Sequence, residues 1–229
     1  MRAALCVLIA VCAVGLELVG CAAPPSKRYY TLNYLPTPPA DRTQQGPYPY
    51  VVRLRELDIE EAYARPQIVY RKSPFELEYY YYRVWAVKPT RMLTDLIQKH
   101  LLAANLVSSV VRRYDEGGKP DYELSGTIEA IEEYDSEQVW FAHLALHLKL
   151  TRITDGKVLY SRRFDHRKRV FENKPDYVIK EMSMVTEHVL NQLVRDLDMV
   201  LAREIGLSTS PPPQPMDADS TTDAPDLWK

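Results

Sequence analysis

Three segments of alternating sequence decide the fold: DYELSGTIEAIEE at residues 121–133, VWFAHLALHLKLTRI at residues 139–153 and VLYSRRFDHRKRVF at residues 158–171. In the second segment a leucine recurs at every second position from Leu144 to Leu150, which is the period of a β-strand with one face in a core. Asp155-Gly156, between the second and third segments, favours a tight hairpin turn. The three segments are therefore predicted to form a β-meander.

Two amphipathic helices accompany the predicted strands. Pro89 opens the first, whose apolar residues recur at spacings of three and four from Leu93 to Ala104. The second begins near Asp176, carries an apolar stripe to Ile205 and should measure roughly 43 Å. Further strands are predicted at 29–34, 51–59, 67–71, 76–87 and 106–111. The pattern predicts an α+β fold, a mixed or antiparallel sheet with a C-terminal β-meander and two amphipathic helices packed on one face.

Composition excludes several classes of protein. The chain has 229 residues, of which 46% are apolar and 26% charged, as in a folded globular protein. A formal net charge of −2 argues against nucleic-acid binding driven by bulk positive charge. Only 8 glycines are present and Gly117-Gly118 is the one adjacent pair, so neither a P-loop nor a Rossmann fingerprint is predicted.

The N-terminus has the pattern of an export signal. An apolar run of 14 residues from Ala3 to Leu16 follows Arg2, and this is shorter than the about 20 residues that a helix needs to span a bilayer. The run leads into Leu18-Val19-Gly20-Cys21, which resembles a bacterial lipobox. We predict a lipoprotein signal peptide at residues 1–20 and a lipid on the thiol of Cys21. An ordinary secretory signal or a buried apolar N-terminal segment is the alternative.

Cysteine usage agrees with a lipid anchor. Cys6 and Cys12 would leave with the signal peptide, so Cys21 would be the one thiol of the mature chain. A chain of that kind forms no internal disulfide and has neither a thiolate metal site nor a further cysteine for catalysis. Ala22 stands where an Asp would favour retention in the inner membrane, which indicates the periplasmic face of the outer membrane.

The chain divides into four parts. Residues 1–20 are the predicted signal peptide, and residues 21–49 are the predicted lipid anchor, Pro-rich tether and first strand. Residues 50–206 are the predicted folded domain. Residues 207–229, with Pro211-Pro212-Pro213 and four aspartates, are predicted to be a disordered acidic tail.

No catalytic or metal site is predicted. His143 and His147 have the spacing of a metal pair on a helix, but on a strand their Cα atoms would lie roughly 13 Å apart. We expect both on the outward face opposite the leucines. We interpret as a solvated acidic rim the carboxylates Glu129, Glu132, Glu133, Asp135 and Glu137. With no GxSxG elbow either, the sequence predicts a protein that is not an enzyme and has no cofactor.

Two runs of residues are candidates for partner binding. The basic run from Arg162 to Arg169 indicates contact with anionic lipid headgroups or an acidic partner, or else ion pairing with the acidic rim. Strand alternation would place two residues of Tyr79-Tyr80-Tyr81-Tyr82 on each face, so that one pair faces solvent or a partner. Division between core and surface covering is the alternative. The predicted contact residues are Tyr80, Tyr82, Trp85, Arg167 and Arg169.

A family resemblance rests on Arg65-Pro66-Gln67-Ile68-Val69-Tyr70-Arg71. Around this stretch come, in order, the lipobox, Tyr29-Tyr30-Thr31-Leu32, Leu57-Asp58-Ile59 and a Trp85-Ala86 step before an amphipathic helix. From about residue 18 to residue 205 the chain resembles the ABC-type transport auxiliary lipoproteins, the group that includes paraquat-inducible protein C. Further predicted contact residues within the motif are Arg65, Gln67 and Arg71.

The resemblance implies an outer-membrane lipoprotein of a mammalian-cell-entry (MCE) type lipid transport system. An MCE-domain protein would link it to an inner-membrane ABC permease and ATPase, and the lipoprotein would be the docking subunit. The family also suggests a homo-oligomeric ring. Two alternatives stay open: a lipoprotein that carries lipid in its own apolar cavity, and a periplasmic hydrolase or cell-wall-binding lipoprotein.

Overall fold

The structure is a computed structural model that describes residues 25–43, 46–113, 119–136, 139–172 and 174–207. The described strands are β1 (Arg28–Tyr30), β2 (Tyr48–Leu54), β3 (Asp58–Ile59), β4 (Gln67–Ser73), β5 (Glu76–Trp85), β6 (Val107–Val111), β7 (Tyr122–Asp135), β8 (Trp140–Arg152) and β9 (Val158–Val170). The helices are α1 (Pro89–Ala103) and α2 (Pro175–Glu204). A short 3₁₀ turn covers Glu61–Tyr63.

These strands form one mixed sheet that curls into a half-barrel. β7 is its central strand: antiparallel β8 lies along one side, and parallel β2, β3 and β4 follow one another along the other. β5 pairs with β4, β1 with β5, β6 with β2, and β9 with β8. The predicted α+β class and the C-terminal meander β7–β8–β9 are confirmed.

The core lies between the meander and α2. Leu144, Leu146 and Leu148 of β8 are fully buried on what we call the leucine face of the sheet. Val189 and Leu193 of α2 are buried against this face, and burial of each such side chain contributes about 1.5–3 kcal/mol. We call the opposite side of the meander the polar face.

Helix boundaries follow the sequence signals. Pro89 and Pro175 occupy first helical positions, where the missing amide hydrogen costs nothing. Gly206 follows α2 with φ +76°, a left-handed conformation that glycine adopts without steric cost and that ends a helix. Both predicted helices are confirmed within two residues of their expected starts.

The predicted strand 51–59 is divided in two. Leu54 pairs with Leu124 and Asp58 with Thr127, so the chain leaves the ladder between β2 and β3. The amide of Leu57 instead donates to Thr94 Oγ1 of α1 at 3.0 Å. A tertiary hydrogen bond to the helix thus replaces one ladder hydrogen bond, which local alternation does not reveal.

The first predicted strand, 29–34, is shorter than expected. Pairing with β5 ends at Tyr30, and the following residues run across the helices. Leu32 is buried, and the amide of Asn33 donates to Ser183 Oγ of α2 at 3.2 Å. This segment therefore packs against α2 rather than extending the sheet.

Gly126 generates a stability prediction. A Cβ added there would lie 2.2 Å from the carbonyl oxygen of His147 and 2.7 Å from Leu148 Cδ2, so the β7–β8 ladder would have to move. We expect Gly126→Ala to lower the free energy of unfolding by about 2–3 kcal/mol, measured by urea denaturation. Gly46→Ala is the control, because nothing lies within 4 Å of its added Cβ. Equal stability of the two variants would contradict the close approach.

Candidate functional site

A buried cluster of charged side chains crosses the polar face. We call it the His143 cluster, and it consists of Tyr63, Arg71, Glu132, His143 and Asp165. Strand register assembles it, because Glu132 of β7 is directly opposite His143 of β8 and Asp165 lies diagonally on β9. The 3₁₀ turn and β4 bring Tyr63 and Arg71 over the same point.

Glu132 is the centre of the cluster and is only 1% exposed. The Tyr63 hydroxyl donates to its Oε2 at 2.6 Å, and Arg71 Nε and His143 Nδ1 each donate to its Oε1 at 2.9 Å. On the other side of the ring, His143 Nε2 donates to Asp165 Oδ1 at 3.0 Å. An ionised carboxylate at this depth needs such donors, because desolvation without them costs several kcal/mol.

The cluster changes the titration of its members. Burial lowers the pKa of His143, but hydrogen bonds to Asp165 and Glu132 outweigh burial, so the net pKa is raised. Burial raises the pKa of Glu132, but donation from His143, Arg71 and Tyr63 outweighs it, so the net pKa is lowered. The hydrogen bond from His143 also holds the pKa of Asp165 well below its usual range. Below this raised pKa, the ring is an imidazolium between two carboxylates.

This geometry suits a structural clamp better than a catalytic base. Both ring nitrogens of His143 face carboxylates within 3.0 Å, so neither is free to take a proton from a substrate. Among the described residues, Tyr63 supplies the hydroxyl of the cluster. Burial and the hydrogen bond to Glu132 raise the pKa of this hydroxyl, which makes it a poorer nucleophile. Across the same ranges no group of three or more His, Cys, Asp or Glu side chains is arranged to hold a metal ion.

Two expectations about this region need correction. His143 lies on the face opposite the leucines as expected, but it is only 6% exposed because Glu132 and Asp165 enclose its ring, whereas His147 on the same face is exposed. The acidic rim is not fully solvated, since Glu132 and Glu133 are 1% and 2% exposed. The Tyr80 hydroxyl donates to Glu133 Oε2 at 3.0 Å, and burial raises the pKa of that carboxyl.

Sequence reasoning missed Tyr63, Glu132 and Asp165 as members of one cluster. A signal for one contact was present, because counting outward from the turn between β7 and β8 pairs Glu132 with His143. Tyr63 and Arg71 come from more than 60 residues away along the chain, and a single sequence carries no signal for that approach.

The tyrosine run lies in an irregular part of β5. Val69 of β4 pairs with Tyr79 and Gln67 with Val84, so β5 carries three more residues than β4 over this stretch. A bulge of this kind breaks strand alternation. The four tyrosines do not divide evenly, because Tyr80 packs against the core and the other three are exposed, so at least one pair faces solvent as expected.

The three predicted contact residues of β5 have different environments. Trp85 is 5% exposed and belongs to the core, so its ring is not part of the surface. Tyr80 is half-buried and stacks on Tyr70 with 4.5 Å between ring centroids. Tyr82 is exposed and meets Tyr81 edge-on at 4.7 Å. Of these three predicted residues, Tyr82 presents most surface.

The Arg-Pro-Gln stretch is largely engaged within the fold. The guanidinium of Arg65 lies 3.8 Å from the ring centroid of Tyr79, a cation–π contact. Gln67 opens β4 and is half-buried, and Arg71 is committed to Glu132. The structure therefore gives this motif contacts inside the protein, and its role toward a partner stays a prediction.

The basic run on β9 is partly paired. Arg162 meets Asp196 of α2 at 2.7 Å, and Lys168 meets Glu181 of α2 at 3.0 Å. Arg163 pairs with Glu129 of β7. Alternation sends these side chains to both faces, so the run divides between the helix and the polar face.

Arg167 and Arg169 are exposed on the polar face, and neither makes an ion pair with another described residue. Arg167 lies 5.2 Å from the ring centroid of Tyr134, and Arg169 lies 5.8 Å from that of Phe171. Phe141 of β8 lies between Tyr134 of β7 and Arg169 of β9, directly opposite each of them in the strand ladder. We call these five residues the arginine–aromatic patch.

Two open depressions flank α2. One, of about 490 Å³, lies between β9 and α2 and is lined by His166, Lys168, His188 and their neighbours. The other, of about 390 Å³, lies between α2 and the segment after β1. The space between α2 and the leucine face is filled with fully buried side chains. A lipid-sized enclosed apolar cavity is not found in this part of the described chain.

Several predicted features lie outside the described residues. Cys21 and the signal peptide precede residue 25, and all but the first residue of the acidic tail follows residue 207. Neither α1 nor α2 is long and apolar enough to cross a bilayer, and they are the α-helices of the described ranges.

The His143 cluster predicts a pH-dependent stability. A histidine whose pKa rises on folding stabilises the fold fully below its ordinary pKa of about 6.5, and the contribution is lost as pH rises through the raised pKa. We expect His143→Gln to cost about 3 kcal/mol of unfolding free energy near pH 6 and distinctly less near pH 9, measured by urea denaturation. His147→Gln, on the same face, is the control. A cost independent of pH would mean that the ring is neutral.

Two solved structures are similar in fold. One is protein XCC0632 from Xanthomonas campestris, a member of family DUF330. It has a TM-score of 0.69 and 20% sequence identity to this chain, and the alignment covers 78% of this chain and 99% of that one. An uncharacterized protein has a TM-score of 0.59 at 13% identity, over 76% of this chain and 99% of that one. At these identities the likeness is one of fold alone. No curated protein matches the chain.

A family model gives the assignment. The model of the ABC-type transport auxiliary lipoprotein component matches residues 30–194, which run from the end of β1 into α2. The match takes in strands β2 to β9, the His143 cluster and all five residues of the arginine–aromatic patch. It agrees with the resemblance carried by the Arg-Pro-Gln stretch. The chain belongs to the family of ABC-type transport auxiliary lipoprotein components.

Proposed function

We propose that this protein is a non-catalytic docking subunit of an MCE-type lipid transport system, anchored by Cys21 at the periplasmic face of the outer membrane. Its partner would be an MCE-domain protein and, through it, an inner-membrane ABC permease and ATPase. The division into a signal peptide (1–20), a tether with the first strand (21–49), a folded domain (50–206) and an acidic tail (207–229) is part of this proposal. Family membership supports association with an ABC transport system.

The observation that carries the docking role is the arginine–aromatic patch. It lies along β9, which pairs only with β8 among the described strands, so its outer backbone edge has no neighbouring strand. Two guanidinium groups without ion pairs stand there beside two half-buried rings, those of Tyr134 and Phe141, and the exposed ring of Phe171, and interfaces are enriched in these residue types. An acidic surface or an added strand of the partner would satisfy both the charges and the backbone groups.

The alternatives receive less support. A lipid carrier needs an enclosed apolar cavity, and the space under α2 is filled by leucine and valine side chains. A hydrolase needs converging polar groups with a free base, and His143 has both ring nitrogens bound to carboxylates. The docking role needs only exposed side chains without ion pairs and a free backbone edge on a rigid sheet, as β9 has among the described strands.

The anchor has a direct test. We expect Cys21→Ser to move the protein from the membrane fraction to the soluble periplasmic fraction, because two or three acyl chains supply about 0.8 kcal/mol for each buried methylene. Cell fractionation measures the location of the variant, and the intact mass of the wild-type protein shows whether its first residue carries acyl chains. A wild-type first residue without acyl mass would remove the anchor from the proposal.

The docking surface is tested by charge reversal. We expect Arg167→Glu with Arg169→Glu to reduce co-purification of the MCE-domain protein about tenfold or more, since loss of a hot-spot arginine costs an interface about 2 kcal/mol. The matched control is Lys149→Glu with Lys157→Glu, the same charge change at two exposed residues away from the patch. Equal loss in both variants would assign the effect to net charge. If the wild-type protein recovers no MCE-domain protein after crosslinking in cells, the docking role is wrong.

A further inference from the structure

The direction of β1 shows where the chain enters the domain. β1 runs parallel to β5, with Arg28 opposite Arg83 and Tyr30 opposite Trp85. Because β5 starts at the β4–β5 turn, the N-terminal end of β1 points toward that turn. We call this end of the sheet the tip end; the turn, with Pro74 and Phe75, lies there.

Three strands end together at the tip end. Arg71 of β4 is opposite Tyr134 of β7, Tyr134 is opposite Phe141 of β8, and Phe141 is opposite Arg169 of β9. This row crosses the sheet at one level. The β4–β5 turn and Phe171, which follow Arg71 and Arg169, therefore extend beyond the same end of the sheet.

The length of the chain before β1 matches the distance to the tip end. Cys21 precedes Arg28 by seven residues, which span at most about 23 Å when extended. Arg28 is level with Arg83 of β5, and the next residue, Val84, is level with Gln67 of β4. From Gln67, the chain of β4 reaches Pro74 at the β4–β5 turn after seven residues. An anchor on Cys21 can thus reach the level of the β4–β5 turn and hardly beyond it.

The opposite end of the sheet is out of reach. Val69 of β4 is level with Glu132 of β7, and β7 continues for ten residues from there to Tyr122. Tyr122 pairs with Arg152, after which the β8–β9 turn projects further. A bilayer at that end would lie more than about 30 Å from the entry point, farther than seven residues extend.

The tip end carries the most exposed aromatic side chains of the described residues. Phe75 is 98% exposed at the β4–β5 turn, and Phe171 is 83% exposed after β9. Phenylalanines this exposed bury little apolar surface in the fold, and aromatic side chains concentrate where proteins meet the surface of a bilayer. Nearby Lys72 and Lys174 are engaged by Glu78 and Glu172.

We propose that the tip end faces the bilayer and that Phe75 and Phe171 insert into its interfacial region. The inference rests on the proposed lipid anchor at Cys21. Seven residues are long enough for the acyl chains to reach the level of Phe75, so both can enter the same leaflet. The insertion of Phe75 and Phe171 is apolar and should persist at high salt, whereas any attraction of the exposed Arg169 to anionic headgroups would be screened.

A fluorescent label on the acylated full chain tests the orientation. The mature protein would have no free thiol, because Cys21 carries its lipid as a thioether, so one new cysteine can be labelled selectively. Phe75→Cys is labelled with an NBD fluorophore, and Lys157→Cys, exposed next to the β8–β9 turn, is the matched control. Both are reconstituted into vesicles of phosphatidylethanolamine and phosphatidylglycerol, with or without a nitroxide on the lipid acyl chain.

We expect a blue-shifted, nitroxide-quenched signal at position 75 and an unshifted, unquenched signal at position 157. Phe171→Cys, labelled in the same way, should behave like position 75. A blue shift without quenching would mean that Phe75 is covered by protein, such as a second copy, and would overturn the proposal. Equal quenching at 75 and 157, or none at either while the protein floats with the vesicles, would also overturn it. Protein that does not float would instead contradict the anchor, and with it the proposed function.

Discussion

A single carboxylate, that of Glu132, imposes the strongest constraint on this fold. It is buried in a sheet, and it stays ionised only because a phenol, a guanidinium and an imidazolium donate to it. These donors come from the 3₁₀ turn, β4 and β8, and His143 extends the chain of hydrogen bonds to Asp165 on β9. Removing any donor would leave a buried charge short of partners. The β4–β5 hairpin is therefore fastened to the meander by polar contacts as well as by strand pairing.

The two faces of the meander have different roles: the leucine face packs in the core, and the polar face carries the exposed side chains proposed to bind a partner. On the leucine face, apolar side chains and α2 supply the hydrophobic stabilisation, and little of that face remains for a partner. On the polar face, the His143 cluster makes the centre rigid and satisfied. Beside this cluster on the polar face, Arg167 and Arg169 are exposed and make no ion pair with another described residue. A rigid support under exposed arginines lowers the entropy that a partner must remove on binding.

Sequence patterns predicted those parts of the fold that obey a local period. The leucines of β8 repeat at every second residue and the apolar stripes of the two helices repeat at every third and fourth. These are the periods of strands and helices with one buried face, so the meander and both helices were predictable. The bulge in β5 was not, because three extra residues relative to β4 depend on which strand β5 meets. The burial of Glu132 and His143 was likewise hidden. Alternation places a residue on a face, but whether that face is covered is decided by Tyr63 and Arg71 from a distant part of the chain.

The two proposed surfaces are neighbours, and their proximity constrains how a partner would arrive. Arg169 lies in the row that crosses the sheet from Arg71, and Phe171 belongs to the patch and to the tip end alike. With the tip end on the bilayer, a protein bound along β9 would approach within a few residues' length of the membrane surface, or about 10 Å. A lipid leaving that partner would then cross little water before reaching the leaflet. If Cys21 carries the proposed lipid, the seven residues before Arg28 would limit the height of β9 above the membrane more tightly than a longer tether would.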